Sequence, residues 1–170
     1  MKKTYEKDQK LKVKTGGGIY SEDGKNRQQL TVSWETAGKK KAVVIGINPS
    51  KANDTRSDRT LTFTARFLNM YEVREFLMLN IFESYATKQK DIDFSSKSDF
   101  TKFKKILKEA DIIFIAWGVE KKYLQEKEAI LKVLKKYEDK LYCVIREDGK
   151  YPLHPRCIRY KHDMKKYIMK

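Results

Sequence analysis

Ala42-Val43-Val44-Ile45-Gly46-Ile47-Asn48-Pro49-Ser50 is the stretch that decides how this chain folds. Residues 42–47 carry no polar side chain, the pattern of a strand buried on both faces, as the strands of parallel sheets are. Gly46 permits a sharp turn or the close approach of a ligand. Pro49 stiffens the loop and biases Asn48 toward extended geometry. Three more apolar runs of strand length follow, at 76–79, 112–116 and 141–145. They lead into Asn80, into Trp117-Gly118 and, past an Asp148-Gly149 turn, into Leu153-His154-Pro155-Arg156. Between the runs, apolar spacings of three and four predict helices over 59–70, over 98–109 with Ser98 as its cap, and over 120–137. Alternation of Leu30, Val32 and Trp34 predicts one further β segment over 28–35.

Strands alternating with helices predict a three-layer α/β domain with a central, mainly parallel four-stranded sheet. Everything just beyond the carboxyl ends of such strands faces one crevice, where ligands bind. Asn48, Asn80, Trp117 and His154 are expected to meet there. The polar segment 50–58 reads as a loop, and the long mixed segment 81–97 as an irregular loop of the kind that carries function.

The length of 170 residues suits one domain over 19–170, preceded by a basic extension over 1–18 that contains Gly16-Gly17-Gly18. Lys and Arg number 38 against 23 Asp and Glu, a formal charge of +15. That balance points to a polyanionic partner, of which nucleic acid is the commonest, or else to a lysine-rich surface with no such role. No apolar run approaches the roughly 18 residues that span a bilayer, and the basic start has no hydrophobic stretch behind it as a secretory signal would. Cys143 and Cys157 stand apart and histidines number only two, so neither a disulfide framework nor a structural metal is expected. A reduced cytoplasmic setting without cofactor follows from these readings.

The four blocks, in this order, resemble the uracil-DNA glycosylase superfamily, whose members carry a Gly-x-Asp/Asn-Pro loop, a Leu-Leu-Leu-Asn strand, a Leu-Trp-Gly strand and a His-Pro-Ser loop. The chain also resembles a family of small prokaryotic proteins sharing six short motifs. Here these are Asn48-Pro49-Ser50, Asp58-Arg59-Thr60, Asn80-Ile81-Phe82, Ala86-Thr87, Ala116-Trp117-Gly118 and Pro152-Leu153-His154-Pro155. The resemblance implies a uracil-DNA glycosylase-like fold over most of residues 30 to 160. It implies that Asn48 positions the attacking water, that Asn80 reads a base edge, and that His154 hydrogen-bonds the charge developing on the base oxygen. Gly46, Ile47, Pro49, Ser50, Phe82 and Trp117 would then line the base pocket.

Three positions depart from the glycosylase pattern. Asn48 supplies neither proton acceptor nor charge where the most active branch has Asp, although the mismatch-specific branch also uses Asn. Ser50 stands where uracil-specific enzymes carry a Tyr that excludes thymine. Arg156 stands where a Ser helps to hold the phosphate backbone. Each site residue also has a plain structural reading: Asn48 and Asn80 as loop caps, Phe63 and Phe67 as helix core, Asp58 and Thr60 as caps. Arg146, Arg156, Arg159, Lys161 and His162 form a basic strip that contacts phosphates or is simply a solvated face.

The favoured expectation is a glycosylase-like protein with a degenerate active site. It would bind nucleic acid, or an acidic DNA-mimicking protein such as a uracil-DNA glycosylase inhibitor, rather than excise uracil. An active DNA glycosylase that hydrolyses the N-glycosidic bond of a flipped base is the alternative. A different enzyme acting on nucleotides or glycosides in the same crevice is a third.

Overall fold

A computed structural model of the chain describes residues 2–4 and 11–169, with Gln89 described by its backbone alone. Its framework is one sheet of seven strands in the order β1-β2-β4-β3-β5-β6-β7. The strands are β1 (Lys14–Tyr20), β2 (Arg27–Ser33), β3 (Lys40–Gly46), β4 (Val73–Asn80), β5 (Ile112–Ile115), β6 (Leu141–Val144) and β7 (Met164–Lys166). Three pairings are parallel (β3 with β4, β3 with β5, β5 with β6) and three antiparallel (β1 with β2, β2 with β4, β6 with β7). The expected four-stranded, mainly parallel, three-layer glycosylase-like domain is therefore corrected to a seven-stranded mixed sheet with few helices. The apolar runs reported their own burial but were blind to the antiparallel strands added outside them. β1 holds three glycines, and β7 is only Met-Lys-Lys, so neither presents an apolar pattern.

The helices are α1 (Arg59–Asn69), α2 (Lys104–Glu109) and α3 (Leu124–Leu134). The segment expected to be helical from Ser98 opens instead as a 3₁₀ turn, Phe100–Phe103, capped by Asp99, whose side chain accepts from the Thr101 N–H. Asp58 caps α1 by accepting from the Leu61 N–H at 2.8 Å, an arrangement worth about 1 kcal/mol. Alternate residues of β3 feed two separate cores. Ala42 and Val44 pack with Leu61, Ala65 and Leu68 of α1. Val43 and Ile45 pack with Leu107 of α2 and with Ile130 and Leu134 of α3.

β1 crosses the expected boundary at residue 18, so the end of the basic extension is a strand of the sheet. Residues 1 and 5–10 of that extension lie outside the described residues. Among the described residues, no helix is long and apolar enough to cross a membrane.

Candidate functional site

Gly46 and Asn80 end neighbouring parallel strands in direct register. A methyl group on Gly46 would lie 2.6 Å from the Met78 Cε and 3.0 Å from the Asn80 Oδ1, so a side chain there would press on both. Asn80 is 1 % exposed, and neither its Oδ1 nor its Nδ2 has a hydrogen-bond partner. Leaving a buried donor or acceptor unpaired costs about 1–3 kcal/mol. The loop-cap reading of Asn80 thus finds no bond to support it.

Asn48 behaves otherwise. Its Nδ2 donates to the Pro49 carbonyl at 2.9 Å and to the Ala86 carbonyl at 2.7 Å, stitching the 48–50 loop to the segment after β4. The Ala86 N–H answers by donating to the Pro49 carbonyl at 3.4 Å. Ile47 contributes its carbonyl, which accepts from the Phe82 N–H at 2.8 Å. Ser50 donates its hydroxyl to the Asp58 Oδ2. The Asn-Pro-Ser and Asp-x-Thr motifs therefore meet as one braced loop, with Asp58 holding Ser50 and the start of α1 together.

Phe82 and Trp117 do not line an open pocket. Phe82 is fully buried against Phe94 and Tyr123, with ring centroids 5.4 and 5.1 Å away. Trp117 is 2 % exposed and meets Tyr167 edge-on at 6.5 Å. Both are core residues, drawn inward by apolar area rather than held at the crevice.

His154 follows the turn after β6, where the Leu153 N–H donates to the Val144 carbonyl at 2.9 Å. Its Nδ1 accepts from the Arg156 N–H at 3.2 Å, capping the 3₁₀ turn Pro155–Cys157. The neutral ring therefore carries its proton on Nε2, which makes that nitrogen a donor. A methyl group on Gly118 (φ +83°) would lie 3.6 Å from the His154 Cβ, so the segments that follow β5 and β6 adjoin. Burial first, and then the nearby Arg156 charge, push the His154 pKa down, with Glu120 opposing. His162 is lowered as well, by burial and then Lys161.

Because the unfolded chain binds protons at His154 more readily than the folded one, stability is full above about pH 6.5 and falls as the pH drops toward the lowered folded value. Urea unfolding across this window is expected to show that loss, and His154→Asn to flatten part of it. An unchanged slope in the variant would assign the dependence elsewhere.

Two charges of the basic strip are paired from within. Arg146 pairs with Asp148, and Lys161 with Glu147 at 2.9 Å. Arg159 donates to the carbonyls of Arg156 and Ile158, each at 2.9 Å. Only the exposed Arg156 guanidinium has no hydrogen bond or ion pair among the described residues. The acidic partners stand two residues or fewer from Arg146, a signal the sequence already carried.

One functional candidate gave no signal in the sequence. Arg27, at the start of β2, is 1 % exposed. One of its terminal nitrogens donates to the Ala52 carbonyl at 2.5 Å, while its Nε is unpaired. It makes no ion pair with any carboxylate among the described residues; the Tyr85 hydroxyl is its nearer polar neighbour, and Asp58 attracts it only at longer range. Among the described residues, no three His, Cys, Asp or Glu side chains converge as metal ligands do.

A family model described as "Protein of unknown function (DUF1643)" matches residues 27–156, and the chain belongs to that family. No curated protein and no solved structure matches it.

Proposed function

We propose that this protein binds nucleic acid through the carboxyl edge of its parallel strands and does not excise uracil efficiently. The observation that carries the reading is Asn80, a buried amide whose donor and acceptor are both unpaired beside Gly46, where a side chain would press on it. One donor and one acceptor fixed side by side match the edge of a nucleobase. His154 offers an Nε2–H beside Gly118, in the segments that follow β5 and β6, and the formal charge of +15 favours a polyanion over a neutral metabolite. An acidic protein that mimics DNA would meet the same surface.

Hydrolysis is disfavoured by the chemistry of the loop residues. The Asn48 amide is committed to two carbonyls, and an amide cannot take a proton from water. The Asp58 carboxylate of the loop is occupied by Ser50 and by the Leu61 N–H. Removing one electrostatic group from such a site typically slows reaction by about a hundred- to a thousandfold.

The test is excision from uracil-containing single-stranded and duplex oligonucleotides, run beside fluorescence-anisotropy binding to the same DNA. No excision is expected, together with binding that weakens steeply with salt. Asn80→Ala should weaken binding by about tenfold, the size of an unpaired polar contact. Robust excision lost in His154→Ala would overturn the reading in favour of a glycosylase. Salt-insensitive binding, or none, would remove nucleic acid as the partner.

A further inference from the structure

An open groove of about 610 Å³ lies beside the braced loop, lined by Tyr20, Lys51, Asn53, Asp54, Thr55 and Tyr85. Tyr20 ends β1, and Tyr85 sits in the loop after β4, so antiparallel pairing brings them to one place. The wall is already braced. The Asp54 N–H donates to the Tyr20 hydroxyl at 3.2 Å, and the Asp54 carboxylate accepts from the Gly18 N–H at 2.7 Å. Asn53 Oδ1 accepts from the Thr55 N–H and hydroxyl, each at 3.1 Å.

Behind this wall the Arg27 guanidinium lies 5.8 Å from the centre of the Tyr85 ring. A buried cation without a carboxylate partner places standing positive charge beneath an aromatic ring and polarises it. Burial raises both phenols above their ordinary range, so the two hydroxyls stay protonated and neutral.

These features select the occupant. The Asp54 carboxylate repels a phosphate from within the groove, whereas phenol rings accept a flat, uncharged ring. Lys51 is exposed at the same groove, where it can meet a backbone phosphate of the strand that carries that ring. We infer that the Tyr20–Tyr85 groove is a stacking subsite for one unpaired nucleobase of a single strand. This deepens the nucleic-acid reading above and rests on it. Stacking on aromatic side chains accepts every base, so the subsite would give preference for single strands rather than for sequence.

The experiment compares the full chain and its variants on a labelled oligothymidylate and on a blunt duplex at one salt concentration. Tyr85→Ala should weaken single-strand binding by about tenfold or more, with the duplex little changed, and Tyr85→Phe should retain most of the affinity. Tyr20→Ala, at the end of the edge strand, serves as the second variant if Tyr85→Ala does not melt cooperatively. Equal losses on both probes, or no loss on the single strand, would overturn the subsite. If Tyr85→Ala weakens binding and Asn80→Ala does not, the crevice reading falls and the groove stands. The reverse pattern removes the groove alone, and a wild-type chain that binds neither probe removes both.

Discussion

Truncating Phe82 to alanine is expected to lower the free energy of unfolding by about 3–5 kcal/mol, the range for emptying an aromatic site in a packed core. The expected readout is a shift of the urea midpoint with little change in slope. Phe82 has no exposed surface, and its ring meets those of Phe94 and Tyr123 edge-on. Its N–H also ties the strand end to the Ile47 carbonyl, so disorder at this position reaches the loop that carries Asn48. Tyr123 compounds the effect. It holds φ +59° just before α3, a left-handed conformation that is strained for a tyrosine and persists because packing fixes it. Phe82→Leu keeps most of the volume and should cost well under half as much. A loss below about 1 kcal/mol for the alanine variant would mean the ring is not closely packed. The base-pocket role that the glycosylase resemblance implies for Phe82 would then return.

The same residue shows where the sequence was readable and where it was not. Position along a strand is written in apolar runs, and β3, β4, β5 and β6 lie where those runs place them because burial on both faces demands them. Direction and neighbours are not written there. β2 has the alternation expected of a strand covered on one side, yet nothing in it says that it runs antiparallel to β4. β1 was hidden by its glycines. Site residues divide in the same way. Asn80 was identifiable as a polar residue ending a buried strand, but its lack of partners is a property of the surrounding fold. Asn48, Phe82 and Trp117 carried the same motif signal and turned out to brace a loop or fill the core. The Tyr20–Tyr85 groove joins residues that are distant in sequence. Its one advance sign was that Tyr85 belongs to a loop too long and mixed to be a simple connection.

Replacing Arg27 by methionine and by alanine is expected to move stability in opposite directions, and the gap between them should be the clearest measurement on this protein. Arg27→Ala empties a large buried site and leaves the Ala52 carbonyl without its donor. An unpaired acceptor costs about 1–3 kcal/mol, and an incompletely refilled cavity adds to it, so a loss of about 3–5 kcal/mol is expected. Arg27→Met also loses the Ala52 bond but keeps most of the volume and removes the charge. A buried ion retains a desolvation penalty of several kcal/mol unless hydrogen bonds and an opposite charge offset it. Here the Nε is unpaired, the Tyr85 hydroxyl lies beside the guanidinium, and no carboxylate forms an ion pair with it among the described residues. Relief of that penalty outweighs the contacts to Ala52 and to the Tyr85 hydroxyl, so Arg27→Met should be as stable as the wild type or more so by about 1–2 kcal/mol. A group that lowers stability is kept for something other than folding. The methionine variant should accordingly bind single-stranded DNA several-fold more weakly, because Tyr85 loses the cation beneath it. Should methionine prove as damaging as alanine, the longer-range attraction of Asp58 and the bond to Ala52 would already offset the buried charge. Arg27 would then be a structural pin for the 50–58 loop, with no separate part in binding.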